Sequence, residues 1–310
     1  MEHGGKPFGG EESDKEDEEG DAAARQIGQA AEQGAGDKFG RPLDGAGKRL
    51  PDCLIIGARK GGTRALITFL AMHPKLVTTG DEVQFFNNNE SYAKGMSWYI
   101  EQMPESRPDQ VLIEKTAEYF HVLWVPERVK EMNPDIKILL VIRDPFIRMV
   151  SDYNFLRRFA ASNIVDGYDF PELKYTIEEL ALDNATGNIN KAYGGLHRSK
   201  YYKFFGNWLK HFPREQIHII NGDRLASENP SYELTKVEQF LGVDSYFNED
   251  FFYKDEEKGF YCITDIGCLG KEKGHKQPDF NPEFVKKVRS FLRPMNLLFY
   301  NQAGYDFNWE

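Results

Sequence analysis

Beyond Leu50 the apolar positions fall into short continuous runs separated by stretches of helical periodicity. Leu54-Ile55-Ile56, closed by Gly57, reads as a buried strand. Val111-Leu112-Ile113, Ile138-Leu139-Leu140-Val141-Ile142 and Ile217-His218-Ile219-Ile220 read the same way. Apolar runs without polar alternation are the mark of strands covered on both faces. Between them, Ala65, Leu66, Phe69 and Leu70 share one face of a helix expected over 64–72. Pro145 stands where a helix accepts a first-turn proline, which predicts a helix running to about Arg158. Two more helices are expected over 231–241 and 282–303. Strands alternating with helices predict an α/β domain with a mainly parallel central sheet flanked by helices.

The start of the chain differs in kind. Its first 50 residues hold 12 acidic and 7 basic residues and 11 glycines, with Phe8 and Phe39 as the only aromatics. Such a composition buries too little apolar surface to offset the entropy of ordering. Residues 1–49 are therefore expected to form a flexible acidic, Gly-rich tail or stem, with an acidic interaction segment as the functional alternative; residues 50–310 form the globular domain. The whole chain is 40% hydrophobic and 14% aromatic, enough for a core, which excludes wholesale disorder. A formal net charge of −10 argues against a nucleic-acid partner, yet leaves room for local basic clusters that hold anions. No apolar stretch reaches the roughly 18–20 residues that cross a bilayer, and no apolar segment follows the N-terminal charges as in a signal peptide. Three cysteines cannot build a disulfide framework; Cys262 and Cys268 are near enough to close one small loop, and Cys53 sits in an apolar run.

The most informative segment is Leu54-Ile55-Ile56-Gly57-Ala58-Arg59-Lys60-Gly61-Gly62-Thr63-Arg64-Ala65-Leu66, a strand, a glycine-bearing loop and a helix start. That order aims backbone N–H groups and the positive end of a helix dipole at the loop's contents. Gly61 and Gly62 permit close backbone approach, Lys60 and Arg64 add charge, and Thr63 adds a hydroxyl. The expected ligand is a phosphate or similar anion. In the ATP-binding loop the lysine follows the second glycine, whereas here Thr63 follows Gly62 and the lysine precedes it.

Gly-x-Arg-Lys-Gly-Gly-Thr-Arg-Ala-Leu resembles the 5′-phosphosulfate loop of the heparan sulfate glucosaminyl sulfotransferases, most closely the 3-O-sulfotransferases, and the likeness extends from about Pro51 to Trp309. The resemblance implies a single P-loop-like sulfotransferase domain using 3′-phosphoadenylyl sulfate (PAPS) as donor, releasing PAP, and acting on heparan sulfate or a related glycosaminoglycan. It implies a Golgi lumenal location, reached through an anchor absent from this chain, with a cytoplasmic location left open by the sequence. Carried over residue by residue, Arg59, Lys60, Gly61, Gly62, Thr63, Arg64 and Ala65 hold the donor's 5′ side, and Arg143 with Ser151 its 3′-phosphate. Tyr261 and Lys273-Gly274-His275 contact the donor, beside a disulfide-bearing loop between Cys262 and Cys268. Glu82, in Thr79-Gly80-Asp81-Glu82-Val83-Gln84-Phe85-Phe86, matches the catalytic base, and a carboxylate beside a Phe-Phe pair is partly desolvated, which raises basicity. Lys115 matches a lysine lining the sugar cleft near the reacting centre; Gln84 and Asn87 fall at acceptor-facing positions. Arg157, Arg158, His197, Arg198 and Lys200 are further basic candidates for a sulfated polysaccharide. The triplets Asn89-Glu90-Ser91 and Asn184-Ala185-Thr186 are acceptor sequences for glycosylation in a secretory compartment.

Three departures matter. Gln84 replaces the histidine usual in the 3-O group and matches the N-sulfotransferase pattern, Asn87 replaces an acid, and His275 stands where relatives have arginine. Ile142-Arg143-Asp144-Pro145 and Ile217 to Leu225 look more like the 3-O branch. The expected reaction is in-line sulfuryl transfer to the glucosamine 3-hydroxyl without a metal, as no His/Cys cluster has ligand spacing. N-sulfation is the alternative, followed by an inactive glycan- or nucleotide-binding relative and an ATP-dependent P-loop kinase.

Overall fold

The computed structural model describes residues 45–162, 170–257, 259–268 and 279–309. Five strands form one parallel sheet: β1 (Cys53–Gly57), β2 (Leu76–Thr78), β3 (Val111–Lys115), β4 (Lys137–Ile142) and β5 (Ile217–Asn221). Their order is β2-β3-β1-β4-β5, so the chain winds outward on one side of β1 and then on the other. In such a sheet the crevice beyond the carboxyl ends of the strands flanking the reversal point is the natural ligand site. Here those ends are Gly57, Lys115 and Ile142.

The apolar runs behave as predicted because each strand feeds two cores. Leu54, Ile56, Leu112, Leu140 and Ile142 join Phe85, Phe86, Tyr99, Phe204, Phe205, Trp208 and Phe299 on one face. Cys53, Ile55, Ile113, Leu139, Val141 and Ile220 pack on the other against α1 (Thr63–Leu70) and α5 (Ser231–Leu241). A third cluster lies between α2 (Pro145–Ser162) and the long α6 (Pro282–Ala303), where Phe146, Met149, Phe284 and Val288 meet. Two further helices frame the sheet edge, α3 (Tyr201–Trp208), on the aromatic face, and α4 (Gly222–Ser227), directly after β5. Helices α5 and α6 end where Gly242 and Gly304 take the left-handed conformation that a side chain disfavours.

The expected strands and helices are all present within a residue or two at their ends, except that the helix from Pro145 runs four residues past Arg158, to Ser162. The strand β2 and an antiparallel hairpin of β6 (Phe252–Asp255) and β7 (Phe260–Ile263) carry too short an apolar signal to be read from sequence. Pairing with the body begins before Leu50: Gly47 bridges Ser106, and Arg49 is fully buried, donating to Ser106 Oγ at 2.8 Å, Gln110 O at 2.7 Å and Asp52 Oδ2 at 2.6 Å. Among the described residues no helix is long and apolar enough to cross a membrane.

The loop after β1 is held by backbone packed on backbone. A Cβ on Gly222, at the start of α4, would overlap the carbonyl oxygen of Gly61 and stand 2.8 Å from that of Ile142. Gly222→Ala should therefore destabilise the domain by roughly 1–3 kcal/mol. Gly80→Ala, where a Cβ meets nothing within 4 Å, should stay within about 0.5 kcal/mol of wild type. Urea unfolding checks both, and equal midpoints for the two variants would contradict the packing account.

Candidate active site

The loop from Gly57 to Gly62 crosses the carboxyl edge of the sheet and delivers the chain into α1. Ala58 N–H donates to Val141 O at 2.7 Å and Gly61 N–H to Ala58 O at 2.7 Å, folding the loop onto the end of β4. Gly62, the residue before α1, has φ 122, which only glycine adopts without strain, and the first-turn amides of α1 have no side-chain cap. Those donors are available to an anion. Thr63 is buried, and Arg64 is exposed.

Lys60 takes a left-handed backbone, φ 65, and its ammonium lies 4.4 Å from the centre of the Phe155 ring. Burial lowers its pKa to about 8; Asp152 works against the shift, and the cations Arg59, Arg158 and Arg64 add to it. Arg59 is engaged otherwise. It donates to Glu118 Oε1 at 2.8 Å and pairs with Asp152 at 2.8 Å, tying the loop both to the segment after β3 and to α2. Asp152 also pairs with the fully buried Arg148 at 3.2 Å and with Arg198 at 3.6 Å. Burial alone would raise the Glu118 carboxyl, but His121 and Arg59 pull it down to about 2. None of Glu118, Arg148 and Asp152 was singled out from sequence; Glu118 and Asp152 look like ordinary surface acids until the fold brings Arg59 between them.

Arg143 follows β4 and is held by Asp223 on α4, Nε to Oδ1 at 3.3 Å, while Tyr201 donates to its carbonyl at 3.0 Å. Ser151 lies two turns into α2, partly exposed, on the helix that carries Asp152 and Phe155. Tyr261 is on β7, partly buried against the α1–α5 core. Cys262 and Cys268 are joined in a disulfide, and Cys53 is buried with its thiol pKa pushed up by burial. Lys273, Gly274 and His275 lie outside the described residues.

On the other side of β1, Lys115 ends β3 and donates to Glu82 Oε1 at 2.6 Å. Lys115 is nearly buried while Glu82 keeps 29% of its side chain exposed, so the carboxylate faces the solvent side of the pair. Gln84 is exposed with φ 53, and Phe85 and Phe86 turn into the aromatic core, which fixes the loop from behind. Asn87 has a buried Oδ1 without a hydrogen-bond partner among the described residues. Exposed Arg157 and Arg158 lie on α2, with His197, Arg198 and Lys200 partly buried before α3. Asn89 and Asn184 are exposed.

A glycine-bearing loop leading into uncapped helix amides and a carboxylate–ammonium pair thus share one sheet edge. Comparison with known proteins identifies the family. A family model described as sulfotransferase domain matches residues 50–293. The chain belongs to the sulfotransferase family. The mouse protein named heparan sulfate glucosamine 3-O-sulfotransferase 5 is 40% identical over 267 residues, covering 84% of this chain and 75% of its own length. Human heparan sulfate glucosamine 3-O-sulfotransferase 3A1 is 38% identical over 275 residues, covering 86% of this chain and 64% of its own. A solved sulfotransferase from Alicyclobacillus acidocaldarius shares the fold, with a TM-score of 0.59 at 19% identity over 83% of this chain and 97% of that one. Both the likeness to the 3-O group and the parallel-sheet sulfotransferase fold agree with the reading of the sequence.

The lowered pKa of Lys60 has a measurable consequence. Its charge is complete well below pH 8 and is lost as pH rises through about 8. Affinity for a phosphorylated nucleotide should fall roughly tenfold between pH 7 and pH 9. In Lys60→Arg the same titration should be nearly flat, because a guanidinium stays charged. Calorimetry across that range checks the pair, and parallel slopes would remove Lys60 from the anion site.

Proposed function

We propose that this domain transfers a sulfuryl group from PAPS to the glucosamine 3-hydroxyl of heparan sulfate, with Glu82 as the general base. The observation that carries the reading is the Glu82–Lys115 pair, closed at 2.6 Å on the same sheet edge as the Gly57–Gly62 loop. The names of the relatives support the acceptor and the position on it.

The residues fit an adenosine donor with phosphates at both ends. Gly61 N–H is committed to Ala58, but the uncapped amides at the start of α1, Lys60 and Arg64 are suited to the 5′ end. Arg143 and Ser151 are suited to the 3′-phosphate, Arg143 being held by Asp223 while part of its side chain stays exposed. The bound donor supplies the sulfuryl group. Glu82 takes the proton of the acceptor hydroxyl, and its freedom to do so comes from its exposed side, since Lys115 occupies the buried one. Lys115 orients the carboxylate and, as the pair opens on proton uptake, offers its ammonium to the charge developing at the reacting centre. Lys60 neutralises charge at the phosphate, its partly desolvated ammonium acting in a medium where one charge counts for more than in water. The scheme calls on no metal.

Gln84 favours N-sulfation as a second reading, because it departs from the 3-O pattern on the exposed face of the acceptor loop. Incubation with labelled PAPS and either N-sulfated or de-N-sulfated heparan sulfate, followed by positional analysis, separates the two. Label at the 3-hydroxyl is expected; label on the amine transfers the domain to the N-sulfating branch. Glu82→Gln should lower turnover by about 10²–10⁴-fold while leaving PAP affinity within a few-fold of wild type. An affinity that collapsed with turnover would assign Glu82 to binding.

A further inference from the structure

Glu114 is a carboxyl that neither the sequence pattern nor the mechanism uses, and it is completely buried. Strand alternation puts it, with Leu112, on the aromatic face of the sheet, opposite Leu54 in the register with β1, while Ile113 and Lys115 face the other way. A buried carboxyl in such a place is costly unless its hydrogen bonds are met. They are met by Thr116 and Tyr99, and Thr116 in turn holds the loop that carries Glu82. Thr116 Oγ1 donates to Glu114 Oε1 at 2.5 Å and accepts from Gln84 N–H at 3.2 Å. The Val83 backbone lies close enough to the Glu114 carboxyl to oppose the rise in its pKa. Tyr99 OH lies 3.4 Å from Glu114 Oε2, and Tyr119 OH accepts from Phe85 N–H at 3.1 Å. Two successive amides, those of Gln84 and Phe85, are therefore fixed by side chains just after β3, and the Val83 backbone lies beside Glu114. These residues lie immediately after Glu82 and include the left-handed residue Gln84.

We propose that Glu114 is the positioning residue for Glu82: its carboxyl clamps the backbone of the acceptor loop and so sets the direction in which the Glu82 carboxylate points. The inference rests on the reading of Glu82 as the base. The protonation state of the clamp follows from its surroundings. The charged and titratable groups facing it are Lys115 on its own strand, Glu82 on the loop, Tyr99 on the helix Gly95–Glu101 and Tyr119 after β3. Burial raises the carboxyl to about 7; the Thr116 and Val83 hydrogen bonds oppose the shift, Glu82 adds to it and Lys115 opposes it. Burial holds both phenols well above their usual range, so they stay neutral. The proton is then best placed on Oε2 facing the Tyr99 phenol, with Oε1 still accepting from Thr116. Two neighbouring carboxyls with different surroundings divide the work, the buried Glu114 as an anchor and the part-exposed Glu82 as a base.

The sign of the pH effect follows by linkage. Opening the loop hydrates Glu114 and returns it toward the ordinary carboxylate range, so the closed loop binds the proton more tightly than the open one. Closure is strongest below about pH 7 and weakens as pH rises through it. Glutamine copies the neutral form and should hold the loop at every pH.

The experiment is amide hydrogen exchange of the 82–86 segment from pH 5.5 to 8.5, corrected for intrinsic rates, together with kcat and KM for the acceptor. In wild type, protection of this segment relative to β4 should fall across neutrality. In Glu114→Gln it should be independent of pH with kcat within a few-fold of wild type. Glu114→Leu should lose protection and about 10²-fold in kcat with PAP affinity unchanged. Thr116→Val, which cuts the link to Gln84 alone, should loosen the same segment without lowering the melting temperature of the body, and decides the matter if Glu114→Leu does not fold. A pH-dependent loss of protection that survives in Glu114→Gln, or an 82–86 segment unaffected in Thr116→Val, overturns the proposal. If wild type shows no transfer, the functional reading falls, and the exchange data still decide whether Glu114 clamps the loop.

Discussion

Everything at this sheet edge depends on the close approach of three backbone segments: the phosphate loop at Gly61, the end of β4 at Val141 and Ile142, and the start of α4 at Gly222. A Cβ on Gly61 would overlap the Val141 carbonyl and stand 2.8 Å from that of Ala58. Because main chain touches main chain there, no side chain stands between the loop and the strands that flank β1. The loop's backbone is consequently set by the sheet itself, and Lys115 and Arg143 at the neighbouring strand ends are set by the same frame. Rigid elements hold functional groups more narrowly than mobile loops do.

The acceptor side is built differently. Glu82 is carried by irregular chain, and irregular chain needs tethers. Phe85 and Phe86 supply the apolar ones, stacked among Tyr99, Tyr119 and Trp98 with Phe85–Tyr99 centroids 4.5 Å apart. Glu114, Thr116 and Tyr119 supply the polar ones. An ion pair, Arg59 between Glu118 and Asp152, braces the two halves across β1. It makes Arg59 a tie within the protein, a role that its place in the Arg-Lys-Gly-Gly motif does not suggest.

Much of this was legible in the sequence, and the reasons divide by physics. The four apolar runs were readable because a strand buried on both faces leaves little polar alternation to blur it. The strand–loop–helix over 54–66 was readable because its apolar run, glycines and helical face are consecutive. Strand β2 was not, since Leu76 is its only fully buried residue and pairing with β3 supplies the rest of its definition. Arg49 was grouped with the tail because charge and composition describe a segment's average, whereas its burial comes from partners at Ser106 and Gln110 far along the chain. Glu114 was passed over for the same reason. Beside Lys115 it looks like half of a surface pair, and only the period-two geometry of β3, with Tyr99 and Thr116 arriving from other elements, sends one charge to the cleft and the other into the core.

The most direct test of the central claim is the structure of the ternary complex with PAP and a heparan sulfate oligosaccharide. The account predicts a glucosamine 3-hydroxyl within hydrogen-bond reach, about 2.6–3.2 Å, of the Glu82 carboxylate, with the phosphates of PAP on the Gly57–Gly62 loop and Arg143. An acceptor whose hydroxyls all lie beyond the reach of Glu82, or a nucleotide seated elsewhere than on that loop, would contradict it.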